Sequence, residues 1–222
     1  SGVPSGVALI HVNASAENTI TIVPGANWTV TPERLERELT GSLRPGDVIC
    51  CQAELPLGVI SRTLDIAGKR GAVRVLNAAP VTTGVRELLP LADILIVNEV
   101  EAADLSGVPD VGPESAGRVA EDLSGLGPPV VIITLGADGA YVRSQGFAEL
   151  VPSPQVPVVD TTGAGDAFTG AFVTWIAEGL PVEQAVRAGI AAGALAVQVS
   201  GAQASLPTRE ALTAFLHQGL DA

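Results

Sequence analysis

The sequence Asp160-Thr-Thr-Gly-Ala-Gly-Asp166 lies between a short apolar run and an amphipathic segment. The apolar run, residues 156–159, predicts a β-strand. The amphipathic segment predicts a helix, because apolar residues recur at helical spacing on one face, at Phe168, Ala171, Phe172 and Trp175. The order of strand, glycine-rich turn and helix is typical of an α/β domain.

The glycine-rich turn has the chemistry of an anion site. Gly163 and Gly165 lack a Cβ that would block a ligand, and the first N–H groups of a helix have no acceptor within it. The helix dipole makes this end positive, so it favours a phosphate group. Asp166 lies at the rim, where a carboxylate suits a general base that takes a proton from a hydroxyl. A tight connection without a ligand is the alternative, and the motif alone leaves both open.

Two other nucleotide motifs do not fit this turn. The third glycine of the dinucleotide-binding fingerprint is misplaced, and no lysine follows the turn as it does in a P-loop. A dinucleotide-dependent oxidoreductase is therefore not expected. A non-catalytic nucleotide-binding module remains an alternative to an enzyme.

Composition favours one compact domain. The chain has 222 residues, of which 47% are hydrophobic and 16% charged, which is enough for an α/β domain with a substantial core. The formal net charge of −12 argues against nucleic acid or an anionic membrane surface as a partner. No apolar stretch approaches the ~20 residues that span a bilayer, and no leader is recognisable. We therefore expect a cytoplasmic protein.

The two cysteines, Cys50 and Cys51, are adjacent in sequence. Neighbouring residues of a strand point to opposite faces, which disfavours a disulfide between them. Both are predicted to lie in the apolar core.

Hydrophobic patterning predicts strands and helices that alternate from residue 47 onward. An opening hairpin is predicted at residues 7–12 and 19–23, with a turn-rich segment between its strands. The other predicted strands are residues 47–51, 73–77, 93–97, 130–134, 141–142 and 148–151. The predicted helices are residues 32–39, 57–67, 85–89, 99–105, 115–126, 182–199 and 208–220. Continuous apolar strands that alternate with helices favour a parallel sheet covered on both faces.

Polar residues follow several of these strands at the point where each strand ends. Asn77 ends one strand, Asn98 and Glu101 follow the next, and Thr134 ends a third. The ligands of open parallel sheets bind outside the carboxyl ends of the strands, so these residues and the glycine-rich turn could form one composite site. Each alone could equally be a helix cap or a turn.

The long string Asp160-Thr-Thr-Gly-Ala-Gly-Asp-Ala-Phe-Thr-Gly170 resembles a signature of the ribokinase-like (PfkB) carbohydrate kinase family. The resemblance continues through Gly25-Ala26-Asn27, Asn77-Ala-Ala-Pro80 and Gly201-Ala-Gln-Ala-Ser-Leu-Pro207. It implies a three-layer α/β/α fold with a mostly parallel central sheet and a partial β lid. The lid would comprise residues 1–27 and the ATP-binding and catalytic domain residues 28–222.

The resemblance also implies a reaction and roles for particular residues. ATP would give its γ-phosphoryl group to a sugar hydroxymethyl oxygen, with the 5-hydroxyl of D-ribose expected and another sugar or a nucleoside as the alternative. Asp166 would be the catalytic base that contacts the substrate, and the N–H groups of Gly163, Ala164 and Gly165 would form the anion hole. Glu54 would contact the sugar, although by itself it reads as a solvated helix start.

The cofactors that the resemblance implies are ATP, Mg²⁺ and K⁺. Asn98 and Glu101 would order magnesium and the phosphates. ATP would also contact a loop, mostly through its backbone, at Thr134, Leu135, Gly136, Ala137, Asp138 and Gly139. The monovalent cation would take oxygen ligands from Asp160, Thr162, Ala196, Val199, Gly201 and Ser205. The alternative for Asp160 is a simple turn cap. The family carries a polar residue near adenine where this chain has Ile190, which leaves the base contact open.

One part of the family pattern is missing from this sequence. Nothing before Gly6 matches the first sugar-binding segment or the first strands of the sheet, so we expect the chain alone to be inactive. The opening hairpin would be the remaining half of the lid, which in the family closes over the sugar and pairs two subunits in a homodimer.

Overall fold

The computed structural model describes residues 2–12 and 18–218. The strands are β1 Val7–Val12, β2 Asn18–Val23, β3 Val48–Gln52, β4 Val73–Asn77, β5 Ile94–Asn98, β6 Val130–Thr134, β7 Ala140–Ser144 and β8 Phe147–Val151. The helices are α1 Pro32–Ser42, α2 Leu57–Lys69, α3 Glu99–Ser106, α4 Ala116–Ser124, α5 Ala164–Ala177, α6 Val182–Ala196 and α7 Arg209–Gln218. Short 3₁₀ turns cover Gly25–Thr29, Val85–Leu91 and Gly136–Asp138. Most of the predicted hairpin turn, residues 13–17, and the predicted helix end at residues 219–220 lie outside the described residues.

The central sheet has the order β3-β4-β5-β6-β7-β8. The first four strands are parallel, and β7 and β8 return antiparallel as a hairpin at one edge. Apolar side chains cover both faces of the sheet. One core packs against α2 and α4 and includes Ile60, Leu64, Val119 and Leu123, and the other packs against α5 and α6 and includes Phe168, Phe172, Val186 and Ile190. The three-layer α/β/α prediction is confirmed.

Strand register brings the polar strand ends to one edge of the sheet. Gln52 at the end of β3 pairs with Asn77 at the end of β4, and Asn98 at the end of β5 pairs with Thr134 at the end of β6. This follows from the parallel arrangement, in which all carboxyl ends lie on the same side. The start of α5 reaches the same edge, because Asp166 in its first turn accepts a hydrogen bond from Gln52 at the end of β3.

The strand predicted at residues 156–159 is wrong. This segment is irregular, and the amides of Val159 and Asp160 both donate to the carbonyl of Val197, at 2.7 and 3.1 Å. Pro154 and Pro157 have no N–H group to donate to a strand ladder, which explains why the apolar run does not join the sheet. A short apolar run without alternation cannot be assigned by periodicity alone.

Two smaller predictions also need correction. The helix predicted at residues 182–199 ends at Ala196. Cys50 is exposed, whereas its neighbour Cys51 is buried as predicted. The reason is that β3 is an edge strand of the described sheet, so its side chains have a neighbouring strand on one side only. Burial raises the pKa of the Cys51 thiol to about 12, which keeps it protonated.

The opening hairpin forms a separate two-stranded antiparallel sheet, in which Val7 pairs with Val23. Large apolar side chains on it are about half exposed, namely Val7, Leu9, Ile22 and Val23. The division at residue 27 between a lid and the main domain stays a prediction. Across residues 2–12 and 18–218, no helix combines the length and the apolar character that crossing a bilayer requires.

Candidate active site

Two clefts meet at the carboxyl edge of the sheet. The large cleft has a volume of about 580 Å³ and the small cleft about 220 Å³. They share four lining residues, which are Asn98, Thr134, Gly165 and Phe168. Two ligands bound in these clefts would therefore meet at the start of α5, which contains Gly165.

The turn before α5 is shaped by Gly163. This residue caps the helix with a left-handed backbone, φ 81°, and a Cβ there would lie 3.0 Å from the carbonyl oxygen of Ala202. The amide of Ala164 donates to the carbonyl of Thr161 at 3.2 Å, so this member of the predicted anion hole is already engaged. Within the described part of the chain, the amides of Gly163, Gly165 and Asp166 have no backbone acceptor. The free amides at the start of α5 therefore include the amide of Asp166, which was not part of the predicted anion hole.

Asp166 points into the small cleft and not into the apolar core. Its side chain is exposed, and its Oδ1 accepts a hydrogen bond from Gln52 Nε2 at 3.1 Å. Glu54 lines the same cleft and is also exposed. A carboxylate beside unpaired helix N–H groups can accept a proton while those groups bind the oxygens of an anion.

Gln52 is a residue of this site that sequence reasoning missed. Its Nε2 lies 3.1 Å from Asp166 Oδ1 and 3.4 Å from Asn77 Oδ1, and Asn77 Nδ2 donates to the carbonyl of Ile96 at 3.2 Å. Gln52 ends a strand just as Asn77 and Asn98 do. Its position at a strand end was the signal that could have identified it.

Asn98 and Glu101 form a reciprocal cap at the start of α3. Asn98 Oδ1 accepts from the amide of Glu101 at 2.8 Å, and Glu101 Oε2 accepts from the amide of Asn98 at 2.9 Å. Burial raises the pKa of Glu101, and the charges of Asp104 and Glu99 raise it further. Glu99, to which the sequence analysis gave no role, lines the large cleft, and its pKa is raised by burial and by Asp138.

These oxygens suit a magnesium ion that also binds phosphates. In the described residues, no three acidic, histidine or cysteine side chains are close enough together to hold a metal ion alone. Mg²⁺ is commonly held by one or two carboxylates together with substrate phosphates and water, so a site of this kind needs few protein ligands. A bound cation would favour the ionised form of Glu99 and Glu101, opposing the effect of burial.

The predicted ATP loop turns tightly beneath the large cleft. The amide of Leu135 donates to the carbonyl of Gly139 at 2.8 Å. Gly139 has φ 101°, and a Cβ there would lie 2.1 Å from the carbonyl oxygen of Val151, so only glycine fits. The residues of the loop that line the cleft are Thr134, Gly136, Ala137 and Gly139. Leu135 is buried in the core, and Asp138 is exposed outside the lining.

The walls of the large cleft include apolar residues that the sequence analysis did not assign to ATP. They are Pro154, Val156, Val158 and Phe168. Ile190, whose contact with adenine the sequence analysis left open, also lines this cleft. Pro154, Val156 and Val158 belong to the irregular segment that replaces the predicted strand. An apolar wall of this kind suits a flat aromatic base.

The six residues predicted to bind a monovalent cation do not line either cleft. The Asp160 carboxylate accepts from the amides of Thr162 and Gly201, each at 2.9 Å, and from Ser200 Oγ at 3.5 Å. The Gly201 amide, and then Thr162, lower the pKa of Asp160 to about 2. Asp160 therefore does cap the turn.

Two other predicted cation ligands, Ser205 and Ala196, take part in local hydrogen bonds. The Ser205 hydroxyl is buried and donates to the carbonyl of Ala202 at 2.9 Å, which leaves its lone pairs free, and the carbonyl of Ala196 accepts from Val199 at 3.1 Å. An all-oxygen set with free lone pairs fits a hard cation.

Comparison with known proteins places this geometry in a family. The chain matches the pfkB family carbohydrate kinases over residues 1–209. It is 39% identical to a ribokinase of Haemophilus influenzae over 212 residues, which is 96% of this chain and 69% of that protein. It is also similar to the crystal structure of ribokinase from Thermotoga maritima, with a TM-score of 0.84, 33% identity and coverage of 98% of this chain and 71% of that one.

A second solved structure is the Arabidopsis thaliana ribokinase complexed with ribose and ATP. Its TM-score is 0.84 and its identity 32%, and the match covers 97% of this chain and 70% of that one. The chain described here belongs to the pfkB family of carbohydrate kinases.

Proposed function

We propose that this chain is the catalytic and ATP-binding part of a ribokinase, which transfers the γ-phosphoryl group of ATP to the 5-hydroxyl of D-ribose. The observation that carries the proposal is the position of Asp166. Its carboxylate lies beside unpaired amides of the α5 start, where the two clefts meet. The Arabidopsis relative with ribose and ATP supports this choice of substrates.

In the proposed reaction, ATP occupies the large cleft and the sugar occupies the small one. Asp166 takes the proton of the 5-hydroxyl, whose oxygen forms the new bond to the γ-phosphorus as the bond to the β-phosphate oxygen of ATP breaks. The amides of Gly163, Gly165 and Asp166 hold the transferring phosphoryl oxygens. Glu54 binds a sugar hydroxyl. Positioning and electrostatics of this kind account for most of the rate of phosphoryl transfer.

Magnesium, near Asn98 and Glu101, would neutralise phosphate charge when bound. A monovalent cation, K⁺, would bind next to the glycine-rich turn before α5, among the oxygens around Asp160 and Ser205. The proposed enzyme is cytoplasmic. It forms a homodimer through the opening hairpin, whose large apolar side chains are about half exposed.

The direct test is Asp166→Asn in the complete gene product. We expect kcat for ribose to fall by about 10²–10⁴-fold, the range for loss of a general base, while calorimetry shows that ATP still binds. Asp122→Asn, on the exposed side of α4, is the matched control and keeps full activity. Near-normal turnover by Asp166→Asn would refute the role of Asp166. Turnover of a panel of sugars and nucleosides identifies the substrate, and faster turnover of another member would replace ribose in the proposal.

A further inference from the structure

Gln52 contacts Asp166 across 114 positions of sequence. The two side chains come from the end of β3 and the first turn of α5, and both line the small cleft. The contact is therefore produced by the packing of α5 against the sheet edge, and it belongs to the site rather than to a local turn.

The orientation of the Gln52 amide is fixed by its neighbours. The carbonyl of Ile96 can only accept, so Asn77 must present Nδ2 to it, which turns Asn77 Oδ1 toward Gln52. Asn77 Oδ1 and the Asp166 carboxylate are both acceptors, so Gln52 must present Nε2 to both. The relay Ile96, Asn77, Gln52, Asp166 thus has one consistent hydrogen-bond assignment, in which Gln52 Nε2 donates toward both acceptor ends.

The relay leaves one carboxylate oxygen of Asp166 available. Gln52 engages Oδ1, and within residues 2–12 and 18–218 no side chain or backbone donor contacts Oδ2. Asp166 is exposed, so without the Gln52 contact its side chain would be free to rotate between solvent and the cleft. A hydrogen bond to one oxygen restricts that rotation, and the other oxygen keeps its lone pairs free of donors from the described residues.

We propose that Gln52 is a positioning residue for the reaction, which holds the Asp166 carboxylate in place through a hydrogen-bonded relay anchored on the Ile96 carbonyl. The inference rests on the proposed function, since it requires Asp166 to be the base. We expect the Gln52 contact to increase the rate of the chemical step. A base that is already held in the reactive orientation loses less conformational entropy when it accepts the proton.

The test begins with Gln52→Met, which keeps the side-chain length and removes the amide. In the complete gene product we expect kcat for ribose to fall by about 10-fold or more, since misplaced reacting groups cost rates of this order. KM for ribose should change less than about 3-fold, because the proposal gives Gln52 a contact with Asp166 and none with ribose. Gln184→Met, an exposed change on α6, is the matched control for kcat and for thermal unfolding. An unchanged kcat, or an effect confined to KM, would overturn the proposal.

A double-mutant cycle separates positioning from a general structural effect. In an Asp166→Asn background, Gln52→Met should cost less than about 2-fold in residual kcat, because the group it positions has been removed. Equal losses in the two backgrounds would contradict the relay. If Asp166→Asn alone retains normal turnover, the role of Asp166 in the proposed function is wrong. If Asp166→Asn is inactive and Gln52→Met is normal, only the positioning role of Gln52 is wrong.

Gln52→Glu serves as a second variant should the methionine variant fold poorly. It keeps the shape of the side chain but brings a second carboxylate to Asp166. Because neighbouring carboxylates share a proton, activity of this variant should require a higher pH than that of the unmodified enzyme. An unchanged pH profile would show that the two side chains do not interact during the reaction.

Discussion

At the scale of single residues, Asp160 ties the turn before α5 to the segment after α6. Its carboxylate accepts hydrogen bonds from Thr162 and Gly201, and these lower its pKa to about 2 from the usual 3.8. A carboxyl group whose pKa is lower in the folded state stabilises that state above the unfolded pKa. The contribution is therefore complete above about pH 4 and is lost as the pH falls toward 2.

This pH dependence gives a measurable prediction. Asp160→Asn should lower Tm at pH 7, and the difference from the unmodified protein should shrink as the pH is lowered from 4 toward 2, because protonation then removes the same interaction. Thermal unfolding followed by circular dichroism measures both values, with Asp122→Asn as control. A Tm difference that stays constant over this pH range would show that the charge of Asp160 does not stabilise the turn.

At the scale of elements, α5 and α6 pack closely at a glycine. A Cβ at Gly189 would lie 2.9 Å from the ring of Phe168 and 3.1 Å from its carbonyl oxygen. Gly189→Ala should therefore destabilise the fold, since overpacking costs ~1–3 kcal/mol and the gain in helix propensity returns at most ~1 kcal/mol. Because Phe168 lines both clefts, ATP affinity should fall as well.

Gly170 on α5 provides the matched control for this pair of helices. A Cβ there would meet no atom within 4 Å, and the residue is exposed. Gly170→Ala should raise the free energy of unfolding by ~0.5–1 kcal/mol, which is the propensity difference alone. Urea unfolding of both variants measures the contrast. Equal stability of the two variants would show that Phe168 can move to accommodate a methyl group.

At the scale of the whole molecule, the opening hairpin carries apolar surface that the other described residues do not cover. Leu9 and Val7 are on neighbouring outward positions of β1, and each is about half exposed. If the hairpin pairs two subunits as proposed, Leu9→Lys should convert the dimer of the complete gene product to a monomer, because a buried ammonium without a partner is costly. Light scattering coupled to size-exclusion chromatography measures the mass.

The control for this experiment is Leu150→Lys, which adds the same charge on the edge strand β8. It should leave the mass unchanged. If the unmodified protein is a monomer, the proposed dimer does not form. If the dimer survives Leu9→Lys, the subunit contact lies outside the hairpin.

Much of the architecture was predictable from local pattern. The apolar runs of β5 and β6 are continuous because the side chains on both faces of these strands are buried, and this is visible without a structure. Polar residues such as Asn77, Asn98 and Thr134 stood at the strand ends, so the edge of the sheet that forms the clefts was also predictable. The glycine and aspartate pattern at residues 160–170 then indicated the family.

Tertiary structure alone decided which donors and acceptors remain free at that edge. The sequence could not show that the Ala164 amide is engaged by Thr161. Nor could it pair Gln52 with Asp166, or show that Val156 and Val158 form part of a cleft wall. Hydrophobic periodicity depends on neighbours a few residues away, and it therefore determined the strands and helices. Hydrogen bonding between groups more than a hundred residues apart depends on how those elements pack, and only the folded chain fixes it.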